Sequence, residues 1–207
     1  MHISKRFASA VAGIAIIASS ALVAAPAQAT SLGNRPLAAL LPATDKFDAN
    51  SNDFDIVTHA VYAVLGAKPS SAVGVLADGN VKLTAFLPND YAFEALVARL
   101  TGTWPTSEQA TFDAVAGLGI DTVETVLLYH VVLGDPVQAW QARRANGAVL
   151  TTAQGGTITI KTRGKYDIQL VDADPLGANP WVVYYDVNVG NKQIAHGISQ
   201  VLLPIAI

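Results

Sequence analysis

Apolar residues in the first half of the chain recur every three or four positions, the spacing that places side chains on one face of a helix. The clearest case is residues 54–65, where Val57, Ala60, Val61 and Val64 share a face. The same reasoning predicts five further helices and one strand in this half. In chain order, the helices are predicted over residues 36–41, 70–76, 89–100, 106–118 and 122–130, and the strand over residues 81–87.

The second half of the chain has short apolar segments, rich in β-branched and aromatic residues and separated by Gly, Pro, Asn and Asp, which predict strands. The predicted strands are residues 131–132, 149–151, 157–162, 168–171, 181–189 and 201–205. Gly155 and Gly156 predict a hairpin turn between two of them. Because helices precede strands without a regular βαβ alternation, the expected fold class is α+β.

Polar residues at the predicted helix starts are expected to act as caps. Asn89 or Asp90 precedes one helix, and either side chain can accept the free N–H groups of its first turn. The pair at positions 106 and 109 has the spacing of a capping box. A related Asp-x-x-Glu spacing joins Asp121 to Glu124.

The acidic stretch before the first long helix has partial calcium-loop spacing. Asp48, Asn50 and Asn52 occupy the first, third and fifth positions of an EF-hand loop. The sixth position is Asp53 where glycine is required, and the twelfth is His59 where glutamate is required. We therefore interpret this stretch as a helix cap, and we expect no metal site.

Residues 1–29 have the features of a secretory signal: basic Lys5 and Arg6, an apolar run over residues 7–25, and small residues at Ala27 and Ala29. A membrane span is the alternative, but serines and glycine interrupt the run. Cleavage after Ala29 would leave 178 residues (207 − 29), the size of one domain. The expected organisation is a signal over residues 1–29, an extension over residues 30–52 and one domain over residues 53–207.

Charge and cysteine content exclude several classes of function. The chain has 13 basic and 16 acidic residues; without Lys5 and Arg6 the balance is 11 against 16, a net charge of −5. No basic run remains, so nucleic acid is not an expected partner. With no cysteine, disulfides, thiolate metal sites and thiol catalysis are excluded. No second apolar run is long enough to span a membrane, so the mature chain is expected to be secreted and extracellular.

The chain lacks the sequence motifs of common enzymes, including G-x-S-x-G and the P-loop. Its four histidines, His2, His59, His130 and His196, have no zinc-binding spacing. We therefore expect no catalytic site, no cofactor and no metal. His130 ends an apolar helix and His196 precedes a glycine, so both are expected to be structural, hydrogen-bonded histidines.

Three segments, in this order along the chain, carry a resemblance to a known family. They are Leu83–Phe93 with the pattern F-x-P-N-D-x-x-F, Leu127–Val132 with Y-H, and His196–Pro204 with H-G-I-x-x-V-L-L-P. We interpret the third segment as a closing strand. Together they resemble a fasciclin domain, here a secreted bacterial protein with one copy. The motif residues are Pro88, Asn89, Asp90, Phe93, His196, Gly197 and Pro204.

The resemblance implies a fold and candidate binding residues. The implied fold is a twisted β-sandwich core with a layer of helices from the N-terminal half. In fasciclin relatives the Tyr-His pair has been linked to receptor binding, which makes Tyr129 and His130 candidates, although their apolar neighbours favour burial. Asp186 and Val187 resemble the Asp-Ile pair of adhesive members, and with Lys192 they form a polar segment beside a strand.

Aromatic residues provide a further contact surface. Tyr184 and Tyr185 would face opposite sides of the strand predicted over residues 181–189. One side is expected to enter the core, and the other could stack on a sugar or on an apolar partner surface.

The expected function is non-catalytic adhesion or matrix interaction, through recognition of a protein or glycan of the cell surface, envelope or matrix. A second hypothesis is a carrier of a small apolar ligand held between helices and sheet. A hydrolase with a site assembled from distant residues ranks last.

Overall fold

The structure, a computed structural model, describes residues 31–41, 46–165 and 167–205. All the helices and strands of the described residues belong to one compact unit, Leu32–Ile207. The predicted secretory signal lies outside the described residues. None of the helices in the described ranges is long and apolar enough to cross a membrane.

Helices occupy most of the first half of this unit, as the periodicity predicts. The α-helices are α1 (Asp55–Ala67), α2 (Asp90–Thr101), α3 (Glu108–Ala116), α4 (Ile120–Tyr129) and α5 (Ala139–Ala142). The strands are β1 (Leu83–Pro88), β2 (Val131–Leu133), β3 (Val149–Thr151), β4 (Thr157–Arg163), β5 (Asp167–Val171), β6 (Val182–Val187) and β7 (Gln193–Ile198). Two 3₁₀ helices, Leu37–Leu40 and Ala72–Ala77, complete the set among the described residues.

The strands form two sheets. The first has the order β2-β1-β7-β6, in which β1 and β7 are parallel and the other pairs are antiparallel. The second is the antiparallel sheet β3-β4-β5, whose β3–β4 hairpin contains the predicted turn at Gly155 and Gly156. Most helices precede most strands, and only one strand pair is parallel, so the fold is α+β, which confirms the expected class.

The central strand β1 is buried on both faces and divides the core into two clusters. Leu83, Ala85 and Leu87 point into a cluster shared with α1, α2 and α4, whereas Phe86 points into a cluster between the two sheets. The period-two alternation of a strand explains this division. The fold is therefore a β-sandwich with helices packed on one outer face of the first sheet.

Gln193, fully buried at the start of β7, holds the expected N-terminal extension to the sheet. Its Oε1 accepts a hydrogen bond from the Leu37 N–H at 2.8 Å, and its Nε2 donates to the carbonyls of Val75 and Asp78 at 2.8 Å. A buried amide with all these partners is satisfied, and removing it would leave several backbone groups unpaired. Both 3₁₀ helices are thereby fixed to β7.

The closing segment is not a strand, which corrects the prediction for residues 201–205. The last strand is Gln193–Ile198, and the chain then continues with Val201 and Leu203 buried but unpaired with any strand. Side chains take the place of a strand partner: the Leu202 N–H donates to His130 Nε2 and the Leu203 N–H donates to Asp172 Oδ2. The apolar run reflects burial and not sheet pairing.

The helix caps agree with the sequence prediction at one helix only. Asn89 caps α2 by accepting a hydrogen bond from the Ala92 N–H at 3.1 Å, as predicted. At α3 the cap is Ser107 and not Thr106. At α4 the N-cap is Gly119, with no side-chain cap.

The other polar residues predicted to cap helices serve different partners. Asp121 and Glu124 form ion pairs with Lys68 at the end of α1. The first turn of α1 is capped from another helix, since Asp90 accepts hydrogen bonds from the N–H groups of Asp55 and Ile56. The acidic stretch before α1 provides no side-chain cap at its N-cap residue, Phe54.

Candidate functional site

His130 at the end of α4 links the helical layer to the C-terminal segment. Its Nδ1 lies 2.7 Å from the Val126 carbonyl and its Nε2 lies 2.9 Å from the Leu202 N–H. The carbonyl requires a donor and the N–H requires an acceptor, which fixes the neutral tautomer with the proton on Nδ1. Burial lowers the pKa of this imidazole to about 4.

Tyr129, beside His130, is fully buried in the cluster between the sheets. Its hydroxyl donates to the Thr157 carbonyl at 2.6 Å, and burial raises the pKa of the phenol. The Tyr-His pair therefore lies inside the protein, where it ties α4 to β4 and to the C-terminal segment. Neither side chain is exposed for contact with a macromolecular partner in this structure.

His196 on β7 is also buried and connects three elements. Its Nε2 donates to the Val137 carbonyl at 2.8 Å, and its Nδ1 accepts from the Asp186 N–H at 3.2 Å. Burial lowers its pKa. The next residue, Gly197, is required by packing, because a Cβ there would lie 2.6 Å from the Tyr184 ring. The motif histidine and glycine thus both serve contacts inside the protein.

Asp186 at the end of β6 has a left-handed backbone, with φ of 57°, and its carboxylate points to α5. Oδ1 accepts a hydrogen bond from the Ala139 N–H at 2.8 Å, so this side chain fixes the start of the helix. Val187 is half-buried and packs against the helical cluster. Lys192 is also half-buried, and its ammonium donates to Asn80 Oδ1 at 3.3 Å. Each of these predicted binding residues already serves a structural contact.

The α5–β6 junction carries exposed aromatic rings covered by arginines. Trp140 on α5 is 51% exposed, and the Arg144 guanidinium lies 5.4 Å from its ring centroid. The Arg143 guanidinium lies 4.7 Å from the ring centroid of Tyr185 on β6. We call these four residues the aromatic–arginine surface. Sequence reasoning missed Trp140 because α5 is only four residues long; the spacing W-x-x-R-R over residues 140–144 is the signal that could have indicated it.

Strand β6 does not alternate between core and solvent as predicted. Val182 is buried, but Val183, Tyr184 and Tyr185 are all exposed. Register shifts against β7 on both sides of Tyr184 explain this, because a bulge rotates the following side chains. Both tyrosines therefore lie at the surface, and the expectation that one of them fills the core is wrong.

A separate cavity of about 540 Å³ opens between the helices and the C-terminal segment. Its wall comes mainly from apolar side chains of α2 and α4 and from residues 201–205. The lining includes Phe93, Leu96, Leu100, Leu118, Val123, Val126, Leu127, Val201, Leu203 and Ile205, with His130 at one side. Both ring nitrogens of this histidine are already paired within the protein, so the imidazole brings no charge to the cavity.

The fold and these sites define a helix-covered β-sandwich with an exposed aromatic–arginine surface and an apolar cavity between the helices and the C-terminal segment. Residues 62–204, more than half of the chain, match the family model for the fasciclin domain. The chain belongs to the fasciclin domain family, which is known in cell adhesion proteins.

One solved structure similar to this chain is a FAS1 domain pair from the insect cell adhesion molecule fasciclin I. It is 16% identical, with a TM-score of 0.42, and the match covers 72% of this chain and 43% of that chain. The chain thus spans less than half the length of that structure. No match was found among curated proteins.

Proposed function

We propose that this protein is a secreted, non-catalytic fasciclin-domain protein that binds a protein or glycan of the cell surface, envelope or extracellular matrix. Residues 1–29 would be removed on export, residues 30–52 would form the extension, and residues 53–207 the domain. The aromatic–arginine surface is the observation that carries the proposal. Exposed Trp, Tyr and Arg are the side chains most enriched at binding hot spots, and aromatic faces also stack on sugars.

The arrangement of this surface favours recognition. Trp140 and Tyr185 are held by arginines, and Asp186 fixes the helix that carries Trp140 to the strand that carries Tyr185. A rigid platform loses little conformational entropy when it binds. Asp186 would then act in binding by positioning α5, and its own carboxylate would remain within the protein.

Truncation of the exposed tryptophan tests the proposal. In a sedimentation assay with envelope or matrix material, we expect Trp140→Ala to weaken retention roughly 30-fold, the loss of about 2 kcal/mol typical of a hot spot. The matched control is Trp104→Ala, because Trp104 is 50% exposed and lies outside this surface. If the folded wild-type protein is not retained on such material, or if both variants bind as it does, the proposal is wrong.

The apolar cavity favours a second candidate function, transport of a small uncharged apolar ligand. Its volume is within the range of about 300–1,000 Å³ typical of small-molecule sites. Native mass spectrometry of the protein collected from the medium of its own host should then show a bound ligand. Denaturing mass spectrometry of the same sample tests export separately: if residues 1–29 are removed, the mass is that of a chain that starts at Thr30. A ligand-free native mass in every preparation would exclude this second function.

A further inference from the structure

A group of carboxylates lies where three helices begin, away from the aromatic–arginine surface and the apolar cavity. Asp90 and Glu108 are the first residues of α2 and α3, and Asp53 lies two residues before α1. Each provides a carboxylate oxygen, and these three oxygens lie within 4.8 Å of one another. We call these three residues the carboxylate cluster.

The cluster is buried and incompletely hydrogen-bonded. Glu108 is only 1% exposed and Asp90 is fully buried. Asp90 uses both oxygens to accept backbone N–H groups of α1, and Glu108 Oε2 accepts the Asp48 N–H at 2.7 Å. Two buried oxygens, Asp53 Oδ1 and Glu108 Oε1, accept no hydrogen bond from any described residue. A buried polar atom without a partner costs about 1–3 kcal/mol, and more when it is charged.

Negative charge at this density requires compensation, because like charges in close contact cannot all ionise without it. No ion pair in the described part of the chain reaches the three carboxylates. Either a proton or a cation must therefore neutralise the cluster.

The geometry distinguishes a proton from a cation. One proton shared between Asp53 and Asp90 would give Asp53 Oδ1 a partner, and a second proton would be needed on Glu108 for its Oε1. A cation between the three carboxylates would contact all of them at once. Oxygens that lie within 4.8 Å of each other suit ligands of one ion at about 2.3–2.6 Å, the range for Ca²⁺.

We infer that the carboxylate cluster is a Ca²⁺ site. The donors are all carboxylate oxygens, without histidine or cysteine, which selects a hard cation over a transition metal. Three side chains from separate segments, two of them at helix starts, suit the irregular coordination of Ca²⁺ better than the strict octahedron of Mg²⁺. The ion would join the starts of α1, α2 and α3, segments distant in sequence, and this is not the EF-hand loop that the sequence excludes.

A second group supplies further oxygens and a route to the site. Asp48, Asp53 and Asp55 also place carboxylate oxygens within 4.8 Å of one another, so Asp53 belongs to both groups. A pocket of about 460 Å³ lined by these three residues and by Lys46 opens beside the cluster. A hydrated cation can therefore approach Asp53 from solvent and exchange its water for carboxylates.

Calorimetric titration of the EDTA-treated, dialysed protein with CaCl₂ tests this site. We expect one saturable site with a Kd of about 0.1–1 mM, the range of extracellular calcium modules. Glu108→Gln, which keeps the shape and removes one charge, should raise the Kd at least tenfold. The control is Asp113→Asn on the same helix, whose exposed carboxylate lies outside both groups, and it should bind as the wild type does.

Thermal unfolding separates loss of the site from loss of the fold. Excess CaCl₂ should raise the Tm of the wild type by about 5 °C and leave that of Glu108→Gln unchanged. Without calcium the variant should be at least as stable as the wild type, because a buried charge is removed. The inference is wrong if the folded wild type binds no Ca²⁺ up to about 10 mM, if MgCl₂ stabilises it equally, or if Glu108→Gln binds normally.

Discussion

At the scale of single residues, the family motifs of this chain are buried connections. His130 joins α4 to the C-terminal segment, and His196 joins β7 to Val137 and Asp186. Each imidazole uses one nitrogen as donor and the other as acceptor, so protonation would break one of its hydrogen bonds. These residues hold the sandwich together.

His130 makes stability depend on pH. Burial lowers its folded-state pKa to about 4, below the 6.5 of an unfolded chain. The contribution of the neutral imidazole to the free energy of unfolding is complete above about pH 6.5 and is lost as the pH falls towards 4. The difference between the folded and unfolded pKa values corresponds to about 3 kcal/mol of unfolding free energy, since the group is completely buried and little screened by solvent.

The measurement is the free energy of urea unfolding for the wild type and for His130→Gln. We expect the difference between them to shrink by about 2 kcal/mol between about pH 7 and about pH 4.5. In the calcium-free protein Asp90 acts in the opposite direction, since burial raises its pKa to about 8 and it favours the folded state at low pH. This effect is common to both proteins and cancels in the difference. A difference that does not change with pH would contradict the assignment.

At the scale of elements, periodicity predicts where helices lie better than it predicts how they begin. The predicted α1, α2 and α4 are present with small shifts at their ends, because their apolar faces are long and regular. Caps depend on one hydrogen bond each, and a neighbouring residue can provide it. Asp90 caps α1 from another helix, which no local pattern indicates.

The cap of α3 gives a test at this scale. Ser107 Oγ accepts a hydrogen bond from the Ala110 N–H at 3.2 Å, whereas Thr106 provides no cap. We expect Ser107→Ala to cost about 1 kcal/mol, seen as a fall in Tm of about 2–4 °C. Thr106→Ala should change stability by less than about 0.5 kcal/mol. Equal losses for the two variants would show that the assigned cap is incorrect.

Strands are predicted less well, because short apolar runs are compatible with several buried conformations. Residues 201–205 have the composition of a strand, yet their N–H groups bind the side chains of His130 and Asp172. The bulged pairing of β6 likewise exposes Tyr184 and Tyr185 together. Both outcomes depend on tertiary partners that the local sequence does not specify.

At the scale of the whole molecule, three segments carry the family resemblance, and the family match and the α+β class confirm it. The order of strands in the sheets was beyond the sequence analysis. The aromatic–arginine surface and the carboxylate cluster combine residues from distant segments, and of these residues only Asp90 belongs to a family motif. The W-x-x-R-R spacing indicates part of the first site, but it does not show that Tyr185 joins it, because both sites form only when helices and strands pack together.

The parallel pairing of β1 with β7 has a consequence for synthesis of the protein. Leu83 pairs with Gln193, which is 110 positions further along the chain (193 − 83). Contacts between such distant positions slow folding, because a long loop must close before they can form. The centre of the first sheet therefore cannot form on the ribosome until nearly the whole polypeptide has emerged.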